Sequence, residues 1–290
     1  MGGFLLDKMG ILGPPGTHSE AAALYLNERL PEPQELTAYP DIYAVLQAVE
    51  QGEVDTALVP VENSLEGSIN VTLDLLARTD TLLVRRELIW PVHNQLMAKC
   101  GPGEVKRIFS HPQPISQCRH FLQEHYPHAE LVKVASTARA AELVGDVPAD
   151  TGFAAICTKR GGELNGLRTL AADIQDNMAN RTRFFEVAKR GRYADGTAGH
   201  PDKVLIICQI DGHEAGALCK VLEEFAFRDV NMTRIESRPA RTELGAYIFF
   251  FDLETRGVTE EALRASIEGC RARSIWLRNL GAFPVLEAAI

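Results

Sequence analysis

Between Lys8 and Lys189 the chain repeatedly changes its hydrophobic period, from short apolar runs to helical spacing and back. That alternation constrains the fold more than any other feature, because a strand–helix–strand order favours a layered α/β domain with largely parallel sheets. KMGILG, DTALVPV, VKRIFS, ELVKVA and FAAICT read as strands. The segment from His18 (HSEAAALYLNERL), DIYAVLQAVEQG, PISQCRHFLQEH and TARAAELV read as helices. In such domains functional groups gather where strands end and helices begin. Length and analogy with other α/β folds divide residues 8–189 into two lobes facing a cleft, in the manner of a periplasmic binding protein.

From 190 to 201 the text becomes RGRYADGTAGHP, in which no hydrophobic period survives, and this reads as a linker. A second unit follows over 202–284. DKVLIICQI, VNMTRIESRP, LGAYIFFFDLE and SIWLRNLGAF read as strands, and HEAGALCKVLEEFAFRD and TEEALRASIEGCRAR as helices. The order βαββαβ is ferredoxin-like. Ala217, Leu218, Val221, Leu222 and Phe225 share one face of the first helix.

A formal net charge of −9 argues against nucleic acid or an anionic membrane as the main partner. An anionic substrate would need a local positive group. No apolar run reaches the ~18 residues of a membrane span. The N-terminal MGGFLLDKMGILG lacks a basic leader, and Leu6 stands where a myristoylation motif wants Ser or Thr. Six scattered cysteines without a CxxC pair indicate reduced core thiols, no metal site and a cytoplasmic protein, so the Asn-x-Thr triplets at Asn70, Asn180 and Asn231 are chance.

Five loops hold the polar residues that chemistry could use. Gly13-Pro14-Pro15-Gly16-Thr17-His18-Ser19 is either an anion cradle at a helix N-terminus or a tight turn capped by Thr17 or Ser19. It is not a dinucleotide fingerprint. In Glu62-Asn63-Ser64-Leu65-Glu66-Gly67-Ser68, Asn63 and Ser64 offer hydrogen bonds to a carboxylate or hydroxyl, while Ser68 suits the cap of the helix bearing Leu73 and Leu76. His111 lies in Ser110-His111-Pro112, where a structural role is favoured over acid catalysis, and Gln117 falls on the first turn of the following helix. Ser136-Thr137 opens another helix. In Asn180-Arg181-Thr182-Arg183-Phe184 the two arginines are either carboxylate partners or a solvated pair.

Taken in register, GPPGTHSEAA, VPVENSLEGSIN, SHPQPISQC, STARAAE and NRTRFF resemble the motifs of prephenate dehydratases. GALCKVLEEFAFRDVNMTRIESRP resembles a phenylalanine-binding ACT domain, and the likeness runs from about residue 8 to 284. The resemblance implies that Thr182 is the key catalytic residue. It implies a prephenate cleft lined by Asn63, Ser110, Gln117 and Glu62 with Thr17, Ser19, Ser64, Ser68, Thr137, Arg183 and Phe184. It also implies a regulatory L-phenylalanine site at Gly216, Ala217, Leu218, Asn231, Glu236, Ser237, Arg238 and Pro239, in a homodimer or homotetramer without a cofactor.

The chemistry fits. Loss of water and CO2 makes the ring of prephenate aromatic, so neither metal nor nucleophile is required. A threonine hydroxyl is a weak acid, and it would act as a hydrogen-bond donor to the leaving hydroxyl, with Glu62 the competing proton source. Arg183 and the helix starts after Gly16 and Gly67 are the expected carboxylate holders. An arogenate dehydratase, running the same chemistry on the amino-acid form of the substrate, and a non-catalytic amino-acid sensor are the alternatives. The intact Asn180–Phe184 motif speaks against the sensor.

Overall fold

The computed structural model describes residues 7–193, 201–242 and 245–289. The first lobe is built by β1 (Lys8–Leu12), α1 (His18–Asn27), β2 (Glu35–Tyr39), α2 (Ile42–Gln51), β3 (Thr56–Asn63), the short β4 (Gly67–Ser68), α3 (Asn70–Arg78) and β5 (Leu82–Pro91). The chain then crosses into a second lobe. There it forms β6 (Gln95–Ala98), β7 (Arg107–Ser110), α4 (Pro112–Gln117), α5 (Arg119–His125), β8 (Glu130–Lys133), α6 (Thr137–Gly145), β9 (Phe153–Cys157), α7 (Lys159–Leu164) and β10 (Arg168–Ala171). It returns along β11 (Arg181–Lys189) into the middle of the first sheet.

A third sheet comprises β12 (Lys203–Ile210), β13 (Met232–Pro239), β14 (Tyr247–Glu254) and β15 (Trp276–Phe283), with α8 (Ala217–Ala226) and α9 (Glu260–Ala272). Between β11 and β12, residues 194–200 of the expected linker lie outside the described residues. The three strand orders are β16-β5-β11-β3-β1-β2, with β16 being Val285–Glu287, then β10-β6-β9-β7-β8, and β13-β14-β12-β15.

Every strand and helix named from the sequence is present, but two expectations change. The sheets are mixed rather than largely parallel: β1 runs parallel to β2 and β3, whereas β11 is antiparallel to both β3 and β5. The reason is topological. The chain leaves the first lobe along β5 and comes back beside it, and a departing and a returning segment must oppose each other. The PISQCRHFLQEH helix breaks into α4 and α5 at Cys118, whose φ of −113° and ψ of 21° lie outside the helical range. Gln117 therefore ends a short helix instead of opening a long one, and its carbonyl accepts from the N–H of Asp176 at 2.7 Å.

The third sheet is not a separate ball. Leu205, Ile207, Phe250 and Phe283 share one core with Val59, Val61, Leu73, Leu76, Phe185 and Val187 of the first lobe. The terminal β16 completes this union by pairing parallel with β5. A second core on the helix side of the third sheet contains Ala217, Val221 and Phe225, as their spacing on one helical face required.

Candidate active site

Register on the central strands decides which polar residues meet. Thr182 of β11 stands opposite Asn63 of β3 and, on its other side, opposite Trp90 of β5. Directly opposed residues in a sheet share a face, and the next residue along turns to the other. Thr182, Asn63 and Trp90 therefore face one way, while Arg183 and its partner Glu62 face the opposite way.

On the first face Asn63 organises an uncharged cluster. Its Oδ1 accepts from the N–H groups of Leu65 and Glu66 at 3.0 and 3.2 Å, which fixes the amide orientation. Its Nδ2 donates to Asn180 Oδ1 at 2.8 Å, to the Arg181 carbonyl at 3.2 Å and to Thr182 Oγ1 at 3.0 Å. Because Thr182 accepts there, its own hydroxyl hydrogen remains for another acceptor. Asn180 Nδ2 in turn donates to Gln117 Oε1 at 3.3 Å, so the chain Gln117–Asn180–Asn63–Thr182 runs from the second lobe into the first. Asn180 is almost fully buried. The motif had drawn attention to its neighbours; its own role as the bridge is visible only when the returning strand is placed.

Two crossings join the lobes. Val92 N–H donates to the Asn180 carbonyl at 3.0 Å, and Ile174 N–H to the Asn94 carbonyl at 3.0 Å. The lobes also touch through glycines: Thr158 Oγ1 donates to the Gly16 carbonyl at 2.8 Å, and a Cβ on Gly161 would come within 2.7 Å of that same oxygen. Arg160 Nε lies 3.0 Å from Glu20 Oε2 alongside.

On the opposite face lies a charged network that ties the first lobe to the third sheet. Arg183 pairs with Glu62 at 2.8 Å, Glu87 at 2.8 Å and Asp252 of β14 at 2.6 Å. Lys203 pairs with Glu87 at 3.0 Å, and Arg234 of β13 with Glu62 at 3.1 Å. Burial would raise the Glu87 carboxyl, but Arg183 and Lys203 outweigh it and hold Glu87 below its ordinary value. Burial alone would lower Arg183, yet Asp252 and Glu87 push it up.

The sequence-named residues thus divide. Thr182, Asn63 and Gln117 come together. Ser64 is beside them, its Oγ accepting from Arg181 N–H at 2.9 Å. Glu62, Arg183 and Ser68 do not join them: Ser68 Oγ donates to Glu236 Oε2 at 2.7 Å, and α3 begins after Ile69 without a side-chain cap. Glu62 is therefore not placed to protonate a group on the Thr182 face, and Arg183 is not free to hold a carboxylate there. The start of α1 is also taken, since the N–H of Gly16 donates to Glu20 Oε2 at 2.6 Å and Thr17 is the N-cap.

Ser19 is buried on α1, and Phe184 is core beside Met9, Ile11 and Trp90. Ser110 is fully buried and donates to the Ile156 carbonyl at 2.7 Å. Ser136 rather than Thr137 caps α6, and His111 caps α4, the structural role favoured for it. In the third unit Gly216 has φ of 79° before Ala217 and Leu218 open α8. Asn231 Nδ2 donates to Glu254 Oε2 at 2.8 Å. Along β13, Glu236 and Arg238 turn toward the first lobe, with Arg238 Nε 2.9 Å from Asp74 Oδ1, while Ser237 and Pro239 turn outward.

The model of the prephenate dehydratase family matches residues 9–192, which include every strand of both lobes up to β11. A prephenate dehydratase from Lactococcus lactis is 35% identical over 278 residues, covering 96% of this chain and 98% of the relative. The crystal structure of prephenate dehydratase from Arthrobacter aurescens, in complex with L-Phe, superposes with a TM-score of 0.82 at 34% identity, covering 96% and 89% of the two chains. GqqA, described as a novel type of quorum-quenching acylase, also reaches a TM-score of 0.82, at 26% identity over 96% and 98%. With the match spanning the strands that carry Asn63 and Thr182, and relatives aligned over nearly their full length, this chain belongs to the prephenate dehydratase family.

Proposed function

We propose that the chain converts prephenate to phenylpyruvate at the Asn63–Thr182 cluster. The observation that carries this is the hydrogen bond from Asn63 Nδ2 to Thr182 Oγ1, which leaves the threonine hydrogen available to the departing ring hydroxyl. As the C–C bond to the ring carboxylate breaks, its electron pair enters the ring and expels hydroxide. A proton taken up from solvent converts that hydroxide to water, and CO2 departs. A preoriented donor in a poorly solvated site lowers the barrier without itself becoming an anion. Gln117 and Asn180 hold Asn63 in place, and Ser64 fixes the neighbouring backbone.

We read residues 8–189 as the two-lobed, binding-protein-like catalytic domain and 202–284 as an ACT domain that senses L-phenylalanine. The βαββαβ order and the L-Phe complex of the Arthrobacter relative support the second assignment. Glu236 and Arg238, on the ESRP segment, touch Ser68 and Asp74 of the first lobe, which gives an effector there a direct path to the catalytic sheet. The ACT unit would join copies of the chain into a homodimer or homotetramer.

The test is ultraviolet absorbance of phenylpyruvate formed from prephenate by the purified protein, with and without L-phenylalanine. Conversion that phenylalanine suppresses is expected. Activity on arogenate alone, or none with either substrate, would overturn the substrate assignment.

A further inference from the structure

Four polar atoms shut off from solvent find no hydrogen-bond partner among the described residues in one region: His18 Nε2, Asn94 Nδ2 and Oδ1, and Gln117 Nε2. Buried polar groups are nearly always partnered, so a cluster of exceptions calls for a reason. Two routes of contact place the cluster at Thr182. Trp90, opposite Thr182 on the same face, donates from Nε1 to His18 Nδ1 at 3.5 Å. Gln117 reaches Thr182 through Asn180 and Asn63. Asn94 lies between, its amide interacting with both the His18 ring and the thiol of Cys118, the residue after Gln117, but meeting neither at hydrogen-bond geometry.

The cluster is held rigidly and is rich in donors. Asn94 is fully buried on a lobe crossing, its N–H donating to Gln175 Oε1 at 2.9 Å and its carbonyl accepting from Ile174. The indole N–H of Trp90 can only donate, so His18 Nδ1 is the acceptor and a neutral ring carries its hydrogen on Nε2. Burial, reinforced by His93 and only partly opposed by Asn94, lowers the His18 pKa to about 4, so the ring is neutral at physiological pH. Gln117 Oε1 is used by Asn180, which leaves its buried NH2 group without a partner among the described residues.

We infer that His18, Asn94 and Gln117 form an uncharged N–H cradle for the substrate carboxylate that is lost as CO2. This rests on the prephenate reading above. Arg183, the cation expected for the task, is committed on the other face of the sheet. Neutral donors suit a carboxylate whose charge vanishes in the transition state. An arginine would hold the ground state more tightly than the transition state and slow the step. The pyruvyl carboxylate keeps its charge throughout and has no such requirement.

The experiment compares Asn94→Leu, His18→Phe and His18→Gln in the full-length protein. It follows prephenate turnover, inhibition by the product phenylpyruvate, and thermal unfolding. Phenylpyruvate lacks the ring carboxylate but keeps the pyruvyl one. Asn94→Leu and His18→Phe should each raise KM for prephenate about 10- to 100-fold, the loss of one hydrogen bond to a charged group, and should lower kcat/KM by less because that charge is fading in the transition state. Product inhibition should stay within about 2-fold. His18→Gln, which restores an N–H near the Nε2 position, should recover much of the loss. Asn94→Leu should raise Tm, by about 2 °C, because an unpartnered buried amide is removed. An unchanged KM for prephenate, or product inhibition weakened in parallel with the rise in KM, would overturn the cradle, and a fall in Tm for Asn94→Leu would remove Asn94 from it. Failure of the wild-type protein to turn over prephenate would instead remove the reading on which the cradle rests.

Discussion

At the scale of single residues, the role proposed for Thr182 depends on its neighbour accepting nothing from it. Asn63 has both amide ends committed, the oxygen to two backbone N–H groups and the nitrogen to three oxygens. Thr182→Ala should lower kcat by about 10²- to 10³-fold with folding intact, as for removal of one preorganised donor. Thr182→Ser should stay within about 10-fold of wild type. Saturating-substrate assays decide this, and equal losses for Ala and Ser would show that the methyl group matters more than the hydroxyl. His18 supplies a second residue-level prediction. Its folded pKa of about 4 lies below the unfolded value of 6.5, so the unfolded chain binds more protons between those limits. The neutral-ring state is fully tolerated above about pH 6.5, and stability falls as pH drops from there toward 4. Denaturant titrations at pH 7.5 and 4.5 should show that His18→Phe loses less stability on acidification than wild type, by on the order of 2 kcal/mol.

At the scale of elements, the loop before α1 and the start of α7 meet backbone to backbone. Gly161 tolerates this because a side chain there would strike the Gly16 carbonyl at 2.7 Å, and Gly16 itself has φ of 86°. Gly161→Ala should force the two lobes apart locally. Overpacking of this kind costs about 1–3 kcal/mol. The expected result is a lower kcat/KM with near-normal secondary structure by circular dichroism. Wild-type kinetics would mean that this contact is not part of the working arrangement. The break between α4 and α5 has the same importance, since it lets the Gln117 carbonyl serve Asp176 and turns the side chain toward Asn180. Helical periodicity across PISQCRHFLQEH gives no hint of the break, because the apolar positions continue through it.

At the scale of the whole molecule, the third sheet and the first lobe share a core and a set of ion pairs. Removing residues after 193 would uncover the apolar face that Leu205, Ile207, Phe250 and Phe283 cover, and would take Asp252 and Lys203 from the Arg183–Glu87 pair. Exposed apolar area of that kind promotes loose packing and aggregation. The truncated chain should bind a hydrophobic dye and unfold at a lower temperature than the full chain; an unchanged Tm would show that the two units are energetically independent. The network also has an acid limit. Burial raises Glu87, but the arginine and lysine hold it below its ordinary value, so its stabilisation is present above the unfolded carboxylate range and is lost as pH falls through the lower folded value.

Much of this was legible in the chain. Period changes located β1, β3, β7, β8 and β9, the helices α1, α2 and α6, and every element of the 202–284 unit, because burial of one face or stripe leaves its mark locally, but they passed over β2, β5, β6, β10 and α7. The order of motifs pointed to Asn63, Gln117 and Thr182, which the folded chain does gather. Strand alternation by itself put Glu62 and Asn63, or Thr182 and Arg183, on opposite faces, but it did not say which face looks between the lobes. That depends on β11 inserting between β3 and β5 and on the third sheet covering the other side, through contacts such as those of Arg183 with Glu62 and Asp252, 121 and 69 positions apart. Tertiary structure alone decided that Arg183 and Glu62 serve the junction with the third sheet, that Asn180 links the lobes, and that His18 and Asn94 lie with Gln117. Local sequence records which side chains must be buried; which of them then face one another depends on long-range register, and no short window contains it.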